Sequence, residues 1–278
     1  MVSGRSITLR ARRRLALLAL CACAAMTGAA AAPSDSQISV TCAKPLYLTI
    51  DTGHMEVAPL IADVLKRQGV KATFFLANER TKTEGGSLDD KWAPWWKARA
   101  AEGHAFGSHT WDHGIWRGDL AGNKFRIQAT ARADGGKVQE WSAAQYCEEL
   151  QRPASRLKEM TGATMLPLFR APGGKTSPAL LAAAKACGFE HVPWSPAGFL
   201  GDELPSDKYP NAMLLAKALR EIKAGDILLA HLGIWSRRDP WAPAVLEPLI
   251  AGLQEKGFCF QTLREHPQYS AWIAKNQK

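Results

Sequence analysis

The first 31 residues contain no acidic side chain. They carry Arg5, Arg10, Arg12, Arg13 and Arg14 ahead of a short apolar run from Leu15 to Ala25. That run is too brief to span a bilayer. With Ala29, Ala30 and Ala31 behind it, the segment reads as a secretory signal peptide cleaved after about Ala31. Arg12-Arg13-Arg14-Leu15 is a weak twin-arginine pattern. Leu20-Cys21-Ala22-Cys23 makes a poor lipoprotein signal, because Cys21 stands where a smaller residue is usual. The expectation is an exported protein, periplasmic or extracellular, with residues 32–278 as one domain and no membrane span once the leader is removed.

Other absences narrow the class. Cys42, Cys147, Cys187 and Cys259 follow the leader, and none sits in a CxxC or other metal-type spacing. An even count in an exported chain permits two disulfides in any of three connectivities. Cys42 and Cys259 flank the first and last expected strands, so in a closed barrel theirs is the first pairing to test; four buried thiols are the alternative. There is no internal repeat and no low-complexity tract. The net charge is +9, but five of those charges are the leader arginines, leaving about +4 on the rest. No basic stripe is interleaved with aromatics, so a nucleic-acid partner is not expected.

What is present is a strand–helix alternation. Buried strands are expected at Leu46–Ile50, Lys71–Leu76, His104–Ser108, Met165–Phe169, Phe189–Val192, Ile227–Ala230 and Phe258–Thr262. Helices are expected around Val57–Leu65, Lys91–Ala101, Ser142–Met160, Ser177–Cys187, Ala212–Ile222 and Pro243–Lys256. Gly114 to Trp141 breaks the pattern as a long polar insertion, with a hairpin suggested by Phe125–Ile127 and Lys137–Gln139. Seven such units argue for a parallel barrel or doubly wound sheet.

In such folds the chemistry gathers at the C-terminal ends of the strands. The expected ends carry Asp51-Thr52-Gly53-His54, His109-Thr110-Trp111-Asp112-His113, Arg170-Ala171-Pro172 and Leu229-Ala230-His231. His109 and His113 are four residues apart; on a helical turn both imidazoles would leave one face and reach one ion. Thr110 follows the first histidine where a zincin has glutamate, so any general base must come from elsewhere. Taken singly, each motif reads as a turn, a surface pair or a satisfied core histidine. Their order along four strand ends does not.

The ordered set resembles the polysaccharide deacetylases with the NodB homology domain, carbohydrate esterase family 4. The family's TFDDG compares with Thr49-Ile50-Asp51-Thr52-Gly53, and its H-[ST]-x-x-H is met by His109 to His113. Its R-x-P is met by Arg170-Ala171-Pro172, and its L-x-H by Leu229-Ala230-His231. The resemblance covers roughly Leu46 to Leu263. It implies an α/β fold, a distorted (β/α) barrel of seven or eight strands, and a metal-dependent hydrolase of carbon–nitrogen bonds other than peptide bonds, acting on N-acylated glycans. His109, His113 and Asp51 would hold a divalent metal, zinc foremost with cobalt or nickel as substitutes. Asp51, Arg170 and His231 would be catalytic, as base, base-holder and acid.

Two positions depart from the family. Thr52 stands where the second aspartate, the third metal ligand, is usual, and Trp194-Ser195 is followed by no aspartate until Asp202. Asp51 is then either base or third ligand, and the three protein ligands usual for catalytic zinc tilt the choice towards the metal. The Asp51-Thr52 pair and Trp111-Asp112-His113-Gly114-Ile115-Trp116 also resemble deformylases acting on lipid-linked formamido-arabinose. Three functions are therefore carried forward: an exported N-deacetylase, a deformylase or amidase on another N-acyl substrate, and a non-catalytic glycan-binding barrel.

Overall fold

The computed structural model describes residues 42–132, 135–242 and 244–277, so the leader read over residues 1–31 lies outside it. Ten strands and seven helices follow one another among the described residues.

The central strand β1 (Pro45–Asp51) is buried along nearly all its length, as an apolar strand covered on both faces in a parallel sheet should be. Helix α1 (Ala58–Arg67) lays Ile61, Val64 and Leu65 on the core and returns the chain to β2 (Thr73–Leu76). Helix α2 (Ala93–Ala101) then buries Trp96 fully, with Trp92, Trp95 and Ala100 packed beside it, so these tryptophans belong to the core. Gly103 closes that helix at φ +84° and hands the chain to β3 (Ala105–Ser108).

The insertion is better ordered than the sequence suggested. The expected hairpin is present as β5 (Lys124–Ala129) and β6 (Val138–Ser142), but Gly114–Leu120, read as loop, is strand β4. The three form an antiparallel sheet in the order β4-β5-β6. It packs Phe125, Ile127 and Trp141 against Tyr146, Leu150 and Phe169. Gly114 is required there, because a side chain would press on Ile127 and the Trp141 ring.

Helix α3 (Ala143–Thr161) opens on a capping box between Ser142 and Gln145. Strand β7 (Leu168–Phe169), helix α4 (Pro178–Ala186) and strand β8 (Glu190–His191) follow, with Ser177 capping α4 through the Leu180 amide at 3.1 Å. Helix α5 (Asn211–Glu221), strand β9 (Ile227–His231), helix α6 (Leu246–Glu255) and strand β10 (Cys259–Phe260) come next. A terminal helix, α7 (Pro267–Asn276), was not expected. It buries Tyr269 and Ile273 against Leu166, Leu168 and Val192.

Seven strands form one parallel sheet in the order β10-β1-β2-β3-β7-β8, with β9 also paired to β1. The sheet curls into an incomplete barrel. The gap between β8 and β9 is spanned by residues 195–199: Phe199 makes one parallel bridge to Leu229, and the Ser195 amide donates to the Ile227 carbonyl at 3.0 Å. This is the distorted barrel of seven or eight strands expected from the sequence, with a partial strand in the eighth place.

Two disulfides staple it. Cys42–Cys259 joins the approach to β1 with β10, the pairing placed first on sequence grounds, and Cys147–Cys187 joins α3 to the end of α4.

Candidate active site

Because the strands run parallel, residues at their C-terminal ends meet on one side of the barrel. Asp51, the last residue of β1, is in register with His231, the last of β9. His109 directly follows β3, its amide donating to the Leu76 carbonyl at 2.8 Å. Arg170 directly follows β7, its amide donating to the Ser108 carbonyl at 2.9 Å. All four expected strand ends thus converge.

The arginine organises this face. Fully buried, it donates from Nη1 to Asp51 Oδ1 at 2.8 Å and from Nε to the Val192 carbonyl at 3.2 Å, with its guanidinium over the Phe75 ring. Burial pushes the Asp51 carboxyl up. The Arg170 guanidinium, with His109 and His231 behind it, outweighs burial and holds it below the ordinary carboxylate range. The second oxygen, Oδ2, lies 3.5 Å from His109 Nε2.

His109 and His113 do not lie on a helix. They sit in a tight loop in which Thr110 (φ +56°) and His113 (φ +49°) are left-handed, a conformation non-glycine residues adopt only when surrounding contacts demand it. Those contacts are present. The Trp111 amide donates to the Glu149 carbonyl and its carbonyl accepts from Asn78, while the Asp112 amide donates to Glu149 Oε2 at 2.8 Å and the Gly114 amide to Thr110 Oγ1 at 2.8 Å. The loop brings the two rings within 4.9 Å, centroid to centroid, which a helical turn was expected to do.

The tautomers follow from the partners. His109 Nδ1 lies 2.9 Å from the Arg170 carbonyl, which only accepts, so Nδ1 carries the proton and Nε2 a lone pair. Thr130 Oγ1 donates to the His113 carbonyl at 3.1 Å and so accepts from His113 Nδ1 at 2.6 Å, again leaving Nε2 a lone pair. Burial pulls the His109 ring down to about 4 against the raising field of Asp51, keeping it neutral at neutral pH.

His231 is held the opposite way. Asp202 Oδ2 accepts the His231 backbone amide at 2.7 Å, and Oδ1 lies 3.0 Å from Nδ1. Burial opposes protonation, but Asp202, with Asp51 and Glu203 adding to it, pushes the ring up to about 9. Asp202 is the orienting carboxylate that the Trp194-Ser195 segment lacked. Thr52 Oγ1 accepts from the Ala77 amide at 3.0 Å. His54 is packed edge-on against Trp235 and lines a cleft that Asp202 and His231 also line.

The donors suit a divalent ion. Among the described residues no three His, Cys, Asp or Glu side chains close into a ready-made cage. The chemistry nevertheless fits: His109 and His113 are each fixed by a hydrogen bond on Nδ1, which leaves Nε2 for an ion, as in metal-binding histidines. The 3.5 Å from Asp51 Oδ2 to His109 Nε2 is close to the edge of a tetrahedral zinc site, about 3.3 Å for bonds of about 2.0–2.1 Å.

Fold and site together define a barrel hydrolase with a carboxylate–arginine pair, two imidazoles fixed through Nδ1 and a third imidazole gripped by a carboxylate at its mouth. The chain belongs to the polysaccharide deacetylase family, whose model matches residues 39–192. It is 27% identical over 230 residues to a chitooligosaccharide deacetylase of Azorhizobium caulinodans, covering 78% of this chain and 92% of that one. It is 26% identical over 221 residues to a peptidoglycan-N-acetylmuramic acid deacetylase of Bacillus subtilis, covering 79% and 70%. A family 4 acetyl xylan esterase from Clostridium thermocellum, solved with a cobalt ion, shares the fold at a TM-score of 0.61 and 22% identity, over 82% of this chain and 91% of that one.

Proposed function

We propose that the protein is an exported, metal-dependent hydrolase that removes N-acetyl groups from sugars of an envelope or extracellular polysaccharide. The observation that carries this reading is the opposed setting of two histidines at one mouth, His109 held through Nδ1 by a carbonyl and His231 held through Nδ1 by the Asp202 carboxylate. His109 offers a lone pair, while His231, on the strand paired with that of Asp51, offers a proton. Amide hydrolysis needs both. The names of the two relatives support an N-acetylated glycan as substrate. The two disulfides support an oxidising compartment, periplasmic or extracellular.

His109 and His113 would hold the ion through Nε2, with Asp51 Oδ2 beside them; zinc suits this set, and cobalt or nickel would substitute. When bound, such an ion acidifies water and polarises a carbonyl. The remaining work falls to side chains. Asp51, kept ionised by Arg170, accepts the proton that water gives up as its oxygen adds to the amide carbon. His231 donates its Nε2 proton to the amide nitrogen as the C–N bond breaks, and Asp202 holds the resulting ring through Nδ1. The products are a carboxylate and a free amino sugar. In the described residues no helix is long and apolar enough to cross a membrane.

Chelator-stripped enzyme incubated with zinc and N-acylated glucosamine oligomers tests the reading. Acetate release in step with free amine supports it. Formate release from an N-formyl sugar, with none of acetate, would transfer the site to the deformylase alternative.

A further inference from the structure

The site as described asks one carboxylate to serve twice. Catalytic zinc usually keeps three protein ligands, and hydrolysis needs a proton acceptor besides. Asp51 stands alone for both, already bound to Arg170 through one oxygen. A second carboxylate stands at the same mouth. Glu79, just beyond β2, lines a cleft of about 300 Å³ together with Arg80, His113, Thr130, Ala131 and Trp235. Its Oε2 is buried and has no hydrogen-bond partner among the described residues.

An unpaired buried carboxylate oxygen is costly and calls for a cation or donors. Asp51 has Arg170, Asp202 has His231, Glu149 has Arg152 and the Asp112 amide, and Glu203 lies 3.9 Å from His231 Nε2. Glu79 has no such partner, and it sits on a segment that is firmly held. The Ala77 amide donates to Thr52 Oγ1 at 3.0 Å, and Ser87 Oγ donates to the Ala77 carbonyl at 2.6 Å while accepting from the Glu79 amide at 3.2 Å. The Asn78 amide donates to the Trp111 carbonyl at 2.8 Å. The segment is thereby tied to the residue after Asp51 on one side and to the His109–His113 loop on the other.

We infer that Glu79 is a metal ligand, joining His109 and His113 on a divalent ion and leaving Asp51 to accept the proton. Thr52 then serves by anchoring the backbone that presents Glu79, and needs no donor atom of its own. The inference rests on the metal-dependent reading of the site.

Zinc titration of chelator-stripped protein against a competing chromophoric chelator tests it. Glu79→Gln and His109→Ala should each weaken zinc binding about tenfold or more, while Asp51→Asn should change it by less than about threefold. An unchanged melting temperature of metal-free Glu79→Gln would assign the loss to the ion and not to folding. Full zinc affinity in Glu79→Gln, with His109→Ala devoid of metal, overturns the Glu79 assignment and leaves the proposed function standing. Wild-type protein that binds no zinc overturns both. Should Glu79→Gln not fold, the visible spectrum of the cobalt-loaded Glu79→Asp variant decides: a shifted band envelope supports ligation, and one identical to wild type overturns it.

Discussion

Asp202 grips His231 twice, accepting its backbone amide at 2.7 Å through Oδ2 and lying 3.0 Å from Nδ1 through Oδ1. One residue thus fixes both the end of β9 and the charge of the ring it carries. With the ring pushed up to about 9, the acid form is present at neutral pH and disappears as pH rises through that value. The alkaline limb of the pH–rate profile should therefore follow His231. Asp202→Asn should move that limb to lower pH and cut kcat about 10- to 100-fold at pH 8. A limb that stays in place would detach Asp202 from the proton transfer.

His231→Ala should lose amide hydrolysis far more than hydrolysis of an activated aryl ester. An amine leaves only when protonated, whereas an activated phenolate leaves unaided. Comparing kcat/KM on the two substrates measures this directly. Equal losses would make His231 a structural residue.

Thr130 fixes the tautomer of His113 from outside any motif. Thr130→Val keeps the shape and removes both hydrogen bonds, those to Nδ1 and to the left-handed His113 carbonyl. Zinc affinity should fall about tenfold with the fold intact, the usual scale for losing an outer-shell partner. Isothermal titration of the stripped variant would show it, and wild-type affinity would contradict the tautomer argument.

Much of this was legible in the sequence, because buried parallel strands write themselves as apolar runs and their C-terminal ends collect the chemistry. Asp51, His109, Arg170 and His231 were placed that way. The helical turn expected for His109–His113 was not found: the spacing allows it, but the contacts of Glu149, Asn78 and Thr130 impose a left-handed loop instead, and such distant partners leave no local signal. Strand β4 was missed because Gly114 and Gly118 interrupt its alternation and it is held by pairing with β5. Helix α7 was missed because it follows the last motif, although His266-Pro267 is a readable start, with the His266 side chain accepting from the Gln268 amide. Asp202 was visible only as the first carboxylate after Trp194, and the sequence offered no sign that the chain would bring it back to His231.

The disulfide Cys42–Cys259 closes the chain across a separation of 217 residues. Replacing both cysteines by serine should cost about 2–5 kcal/mol of unfolding free energy. Guanidinium denaturation of the oxidised wild type and the double variant measures it. The same midpoint in both would deny the staple a role in stability.

In the proposed function, metal binding and amide hydrolysis are coupled at this site. Stripped protein should release no acetate from N-acetylglucosamine oligomers, and one equivalent of zinc should restore equal amounts of acetate and free amine in the wild type but not in His109→Ala. Release of acetate by stripped protein at the zinc-loaded rate would contradict it.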